Sequence, residues 1–163
     1  MSNTTTCRAI ALLLLAAVFV PASAWARAPM LETLAGKPFD TQQLPSSSVV
    51  IFWSPDCTYC HQEMAEIRAE GDADFLAHLV LVGLLPRQGI DARKYGLPAA
   101  ALSLASRAAP VDVLEKLGNK TGALPFAVII DAHGKICQRL VGKTGIAQMR
   151  AGLAACRGDV TPR

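Results

Sequence analysis

The sequence predicts an α/β layer sandwich built on a mixed β-sheet. Two patterns carry this expectation. Apolar runs of strand length, Val49–Trp53 and Leu79–Leu85, alternate with segments of helical spacing. After residue 125 two further runs, Phe126–Asp131 and Ile136–Val141, follow each other across the tight turn Ala132-His133-Gly134-Lys135. Alternating strands and helices imply parallel neighbours, and a late hairpin adds antiparallel ones.

In chain order, Leu31–Leu44 holds the turn Ala35-Gly36-Lys37-Pro38-Phe39 between apolar positions and reads as a β-hairpin. Pro45-Ser46-Ser47-Ser48 is a loop. Val49–Trp53 is apolar on both faces, as a buried central strand should be. Cys57–Ala69 reads as a helix ended by Gly71, and Leu79–Leu85 as a second buried strand. Pro86–Gly89 is a turn, and Ile90–Tyr95 a short helix stopped by Gly96. Ala99–Ala105 fits strand and helix equally. Val111–Leu117 reads as a helix closed by Gly118-Asn119, and Gly145–Cys156 as a closing amphipathic helix.

The first residues are read as an address rather than as fold. Arg8 is the only charge before the apolar stretch Ile10–Val20, and Pro21 breaks that stretch. Small residues follow at Ala22-Ser23-Ala24-Trp25-Ala26. An apolar core of about 11 residues suits a signal peptide and is short for a membrane span. Residues 1–26 are therefore expected to be a cleaved signal peptide, with a retained N-terminal anchor as the alternative. The rest, 27–163, is expected to form one domain in the periplasm. The chain has 5 cysteines, and Cys7 would leave with the signal. Cys57, Cys60, Cys137 and Cys156 remain, an even set suited to an oxidising compartment. The formal charge is +3, small and scattered, which argues against nucleic acid as a partner.

Val49-Val50-Ile51-Phe52-Trp53 runs straight into Cys57-Thr58-Tyr59-Cys60. A buried strand thus delivers two thiols to the first turn of a helix. Free backbone N–H groups and the helix dipole favour a thiolate there. The spacing lets the second sulfur close a disulfide on the first, so dithiol–disulfide exchange is the expected chemistry. Cys57 is expected to attack, and Cys60, one turn deeper, to resolve the mixed disulfide. Three neighbours are candidates for tuning: Asp56 opposes a thiolate by like charge, while Tyr59 and His61 flank Cys60.

Other readings of the same residues are weaker. Cys57-x-x-Cys60-His61 formally matches a c-type haem attachment site, with His61 axial and Met64 or Met149 as a second ligand. Haem attachment would not require the apolar strand before Cys57, so no cofactor is expected. No metal is expected either, because a four-cysteine zinc site usually needs a second close pair. Gly142-Lys143-Thr144 suggests a phosphate loop, but its first glycine would fall at Cys137, so no nucleotide is expected. Cys137 and Cys156 are read either as a structural disulfide or as two small buried hydrophobes.

Together these residues resemble the thioredoxin superfamily, and more narrowly the periplasmic TlpA/ResA-type thiol-disulfide oxidoreductases. The match is carried by Leu31-Glu32-Thr33-Leu34-Ala35-Gly36-Lys37, similar to that family's added N-terminal hairpin, and by Phe52-Trp53-Ser54-Pro55-Asp56-Cys57-x-x-Cys60. Arg93-Lys94-Tyr95-Gly96-Leu97 resembles its central insertion. Gly122-Ala123-Leu124-Pro125 and the strand, turn and strand after it resemble the segment that carries its cis-proline. The resemblance implies a thioredoxin-like fold. It also implies that Pro125 faces the dithiol and that the backbone of Leu124 pairs with a substrate strand. It implies reduction of disulfides in cell-envelope client proteins, with electrons from a membrane-bound donor. The chain departs from the family at Asp56, where Trp is usual, and at Tyr59, where Pro is usual. The buried acid of thioredoxin falls at Ile51. Cys57-Thr58-Tyr59-Cys60-His61 also resembles the motif of the disulfide isomerase DsbC and of conjugation-associated thioredoxins. Oxidation, isomerisation and an accessory role in assembly or secretion are therefore the alternatives.

Overall fold

A computed structural model describes residues 31–84 and 90–158. The expected signal peptide, and the turn at 86–89, lie outside the described residues.

Six strands form one mixed sheet: β1 (Leu31–Thr33), β2 (Ser48–Trp53), β3 (Leu79–Leu84), β4 (Leu102–Ser106), β5 (Phe126–Ile130) and β6 (Ile136–Val141). Their order across the sheet is β1-β4-β3-β2-β5-β6. β2 lies in the middle, parallel to β3 and antiparallel to β5. The helices are α1 (Thr58–Glu70), α2 (Ala73–Ala77), α3 (Pro110–Lys116) and α4 (Ile146–Arg157).

The period-2 alternation of β2 divides the core. Val49, Ile51 and Trp53 pack with Cys60, Met64 and Ile67 of α1, Phe75 of α2, and Met149 and Leu153 of α4. Val50 and Phe52 face the other way, toward Val113 and Leu114 of α3. Every residue of β2 is buried, and so is every residue of β3 and β5. A strand sandwiched between two helical layers has no solvent face, so it reads as an unbroken apolar run.

Several expectations change in the folded chain. The N-terminal segment folds back on itself through two backbone bonds, Phe39 N to Leu31 O at 2.9 Å and Thr33 N to Lys37 O at 2.8 Å, but only its first arm is a strand of the sheet. β1 pairs with β4, Leu31 opposite Ser106, and a single bridge joins Glu32 to Pro38. Residues 92–96 form turns instead of a helix. Asp91 Oδ1 accepts from the N–H groups of Arg93 and Lys94 as an N-cap does, but Gly96, at φ 59° in the left-handed region, ends the turn before a helix propagates. The ambiguous Ala99–Ala105 region becomes β4, shifted toward the C-terminus. α2 was not anticipated; five residues are too few to show a period. Asp72 caps it by accepting from Phe75 N at 2.9 Å.

α4 begins at Gly145, whose φ of 73° lies in the left-handed region and which offers no side-chain cap. The cap comes from α1. Glu63 Oε1 accepts from Thr144 N at 2.9 Å and from Gly145 N at 3.4 Å. Glu66 Oε1 accepts from Ile146 N at 3.3 Å, and its other oxygen pairs with Lys143. Two carboxylates at a helix N-terminus are well placed against its orphan N–H groups and its dipole. At its far end α4 is held by the disulfide Cys137–Cys156, with Cα atoms 6.1 Å apart.

Candidate functional site

β2 ends at Trp53, and Ser54-Pro55-Asp56 turns the chain into α1. Cys57 is the N-cap of α1, and its sulfur accepts from Cys60 N at 3.1 Å. The helix therefore aims an orphan N–H at the sulfur that precedes it. Cys57 is half-buried, whereas Cys60 is 0% exposed. The two form a disulfide, with Cα atoms 5.2 Å apart. Cys57 is thus the half-exposed member of the pair, and Cys60 is sealed in the core cluster with Trp53, Met64 and Ile67.

The three neighbours occupy different environments. Asp56 and Tyr59 are exposed, Tyr59 at 62%. His61 is also exposed, and its Nε2 lies 2.6 Å from the carbonyl of Pro55. The imidazole thus reaches back from α1 to the turn that presents Cys57. These residues do not fit a covalently held haem. Cys60 is sealed in the core, His61 Nε2 is engaged by Pro55, and Met64 and Met149 are core residues, 1% and 0% exposed.

Pro125 lies one residue beyond the last β2–β5 pair, Phe52 with Phe126, at the end of the sheet that carries Cys57. The Leu124–Pro125 peptide bond is cis. Pro125 is buried, and its carbonyl accepts from Gly142 N at 2.8 Å. Leu124 is half-buried and packs against the same core cluster as Cys57. Ahead of it, the buried Asn119 braces the approach, donating from Nδ2 to the Ala123 carbonyl at 2.9 Å and accepting from Thr121 Oγ1. Cys137 and Cys156 are remote in role. They join β6 to the last turn of α4 rather than contributing to the dithiol.

Glu63 is the residue that sequence reasoning did not single out. It is 1% exposed and lies one helical turn beyond Cys60. Burial pushes its carboxyl above the usual range, opposed by the N–H groups of Thr144 and Gly145, the Thr144 hydroxyl and the nearby Lys143. A signal was present in the sequence. Cys60, Glu63, Met64 and Ile67 form one stripe at helical spacing, so Glu63 falls on the buried face.

A central β2 flanked by parallel β3 and antiparallel β5, with a Cys-x-x-Cys disulfide capping the helix after β2, defines a thioredoxin-like fold. Solved structures bear this out. A thioredoxin-like protein from Porphyromonas gingivalis matches with a TM-score of 0.62 and 19% identity, over 86% of this chain and 96% of that one. A thio-disulfide isomerase from Thermus thermophilus matches at 0.59 and 19%, over 78% and 90%. A secreted Mycobacterium tuberculosis disulfide oxidoreductase, homologous to E. coli DsbE, matches at 0.53 and 23%, over 77% and 94%. No family model matches the chain, and no curated protein matches it.

Proposed function

We propose that this protein is an exported thiol-disulfide oxidoreductase that reduces disulfides in cell-envelope proteins. One observation carries the reading: Cys57 is half-exposed at the N-terminus of α1, accepting from Cys60 N, above a fully buried Cys60. This is an attacking sulfur over a resolving one.

In the reduced protein the Cys57 thiolate attacks one sulfur of a client disulfide. The client S–S bond breaks, one client thiolate leaves, and a mixed disulfide forms. Cys60, deprotonated, then attacks the Cys57 sulfur and expels the second client thiolate. Two electrons pass to the client, and the Cys57–Cys60 disulfide remains. A membrane-bound dithiol donor would return it to the reduced state. Leu124 supports the client-binding part of the reading. Its backbone N–H and C=O make no hydrogen bond among the described residues, and it packs against the same core cluster as Cys57. An extended client segment would pair with that backbone as an added strand, Pro125 fixing its edge.

Reduction is favoured by the resemblance to TlpA/ResA-type proteins. Isomerisation is the second reading, favoured by the motif likeness to DsbC. Export is supported by the leader pattern in residues 1–26 and by four cysteines paired as two disulfides.

The test is to express the Cys60→Ser variant in the cell envelope and identify the proteins it traps. Mixed disulfides through Cys57, lost in the Cys57→Ser variant, are expected. No Cys57-dependent adduct would refute the function. The reduction potential decides direction: a value well below that of client disulfides supports reduction, and one above it supports oxidation or isomerisation.

A further inference from the structure

Tyr95 is carried by the turns between β3 and β4, more than 30 positions from the dithiol in sequence, yet it touches both ends of the dithiol segment. Its ring meets Trp53, the last residue before that segment, edge-on at 5.4 Å and 64°. It also stacks on His61, the first residue after it, at 6.3 Å and 23°. Lys94 Nζ lies 5.5 Å from the same ring.

The segment that carries Tyr95 is itself pinned. Ile90 packs so closely on Gly83 of β3 that a Cβ there would lie 2.0 Å from Ile90 Cδ1. Arg68 of α1 donates to the Gly96 carbonyl. Asp91 closes the turn through the N–H groups of Arg93 and Lys94. Tyr95 is half-buried and packs against the cluster that holds Cys57 and Cys60. Its hydroxyl makes no hydrogen bond among the described residues, so the ring is what the site uses.

We propose that Tyr95 is a positioning residue for Cys57, acting through His61. The ring holds the imidazole, the imidazole holds the Pro55 carbonyl at 2.6 Å, and Pro55 lies two residues before Cys57. The chain Tyr95, His61, Pro55 therefore fixes the turn in which Cys60 N donates to the Cys57 sulfur at 3.1 Å. Without the ring, His61 is free to turn into solvent. The turn then loosens, and the N–H that favours the thiolate is less well aimed. The thiolate should be less populated at neutral pH.

The inference rests on Cys57 being the attacking thiol, and its test needs no client. The full chain is reduced, and the rate at which iodoacetamide alkylates Cys57 is followed against pH by mass spectrometry. Tyr95→Leu should slow alkylation at neutral pH about three- to tenfold, the worth of one hydrogen bond, and move the profile to higher pH. His61→Ala should do the same. Tyr95→Phe, which keeps the ring, should match the parent. In the double variant the loss should equal that of His61→Ala alone, because the two residues act in series. A purely packing role would lower Tm and leave the pH profile in place.

An unchanged profile in Tyr95→Leu would overturn the proposal. So would losses that multiply in the double variant, or Tyr95→Phe behaving like Tyr95→Leu. If Tyr95→Leu does not fold, His61→Ala decides: a profile identical to the parent refutes the chain of contacts. Alkylation of Cys60 before Cys57 in the parent would defeat both this inference and the function proposed above. Normal Cys57 reactivity with no response to these variants defeats only the inference.

Discussion

Removing the Cys137–Cys156 disulfide should cost about 3 kcal/mol of stability, and the number follows from where the bridge lies. The two cysteines are 19 residues apart. Closing a loop of that length removes chain entropy from the unfolded state worth about 3 kcal/mol near room temperature. Cys137 is exposed and Cys156 half-buried, so replacing both with Ala empties little of the core. The loop term should dominate. It should also act locally, because the bridge ties the end of α4, whereas Glu63 and Glu66 hold its start and Arg150, paired with Asp72 at 2.8 Å, holds its middle. For a domain of this size, about 3 kcal/mol corresponds to a fall in Tm of about 10 °C. The assay is a thermal melt of the Cys137→Ala, Cys156→Ala double variant beside the oxidised parent, without reductant. Intact mass after alkylation establishes that the parent carries two disulfides. After reduction, Cys57 in the variant should alkylate at the parent rate, since the bridge is not part of the dithiol site. A melt within about 2 °C of the parent would refute the loop-entropy argument. A parent whose Cys137 is freely alkylated would refute the bridge itself.

Three further outcomes are expected. Glu63→Ala leaves the N–H groups of Thr144 and Gly145 without their acceptor and should cost about 1–3 kcal/mol in urea unfolding. Glu63→Gln keeps an acceptor oxygen and should cost much less. The sign of the pH effect follows from burial. The folded carboxyl titrates above its unfolded value, so between the two values the native state holds the extra proton. That stabilisation is present below the unfolded value and is lost as pH rises through the folded one. The parent should therefore lose stability relative to Glu63→Gln across that window, and parallel profiles would refute the assignment. Asp131 has the opposite sign. The N–H groups of Lys135 and His133 hold its carboxyl below the usual range, so its contribution is present above the unfolded value and fades as pH falls through the folded one. Asp131→Ala should destabilise the β5–β6 turn at neutral pH and make little difference at low pH, as read from unfolding midpoints. Gly83→Ala drives a methyl into Ile90 and toward Trp53 and should cost about 1–3 kcal/mol, measured by the same unfolding. A neutral result would show that the Tyr95 segment is not packed as tightly as Gly83 implies.

Much of the fold was legible where the signal is local. β2, β3 and β5 are apolar on both faces, and the helix that begins after Cys57 carries its spacing in plain view. The two thiols could be placed on a helix N-terminus because an apolar strand running into Cys57-x-x-Cys60 leaves few other geometries. Short or weakly patterned elements were not legible. α2 has one buried residue, and the N-terminal strand joins the sheet through β4, over 70 residues away.

The sequence by itself determined the chemistry that one strand and one helix can hold: two cysteines, their order, and their place at a positive helix end. Tertiary structure decided what surrounds them. Helical spacing puts Glu63 on the covered face of α1, but only the fold supplies its partners, Thr144 and Gly145, some 80 positions later. Tyr95 reads as the end of a short helix until the sheet order sets it against Trp53 and His61. The physical reason is the same in both cases. Periodicity reports which face of an element is covered, but not which distant group covers it, and the contacts of Glu63 and Tyr95 are of the second kind.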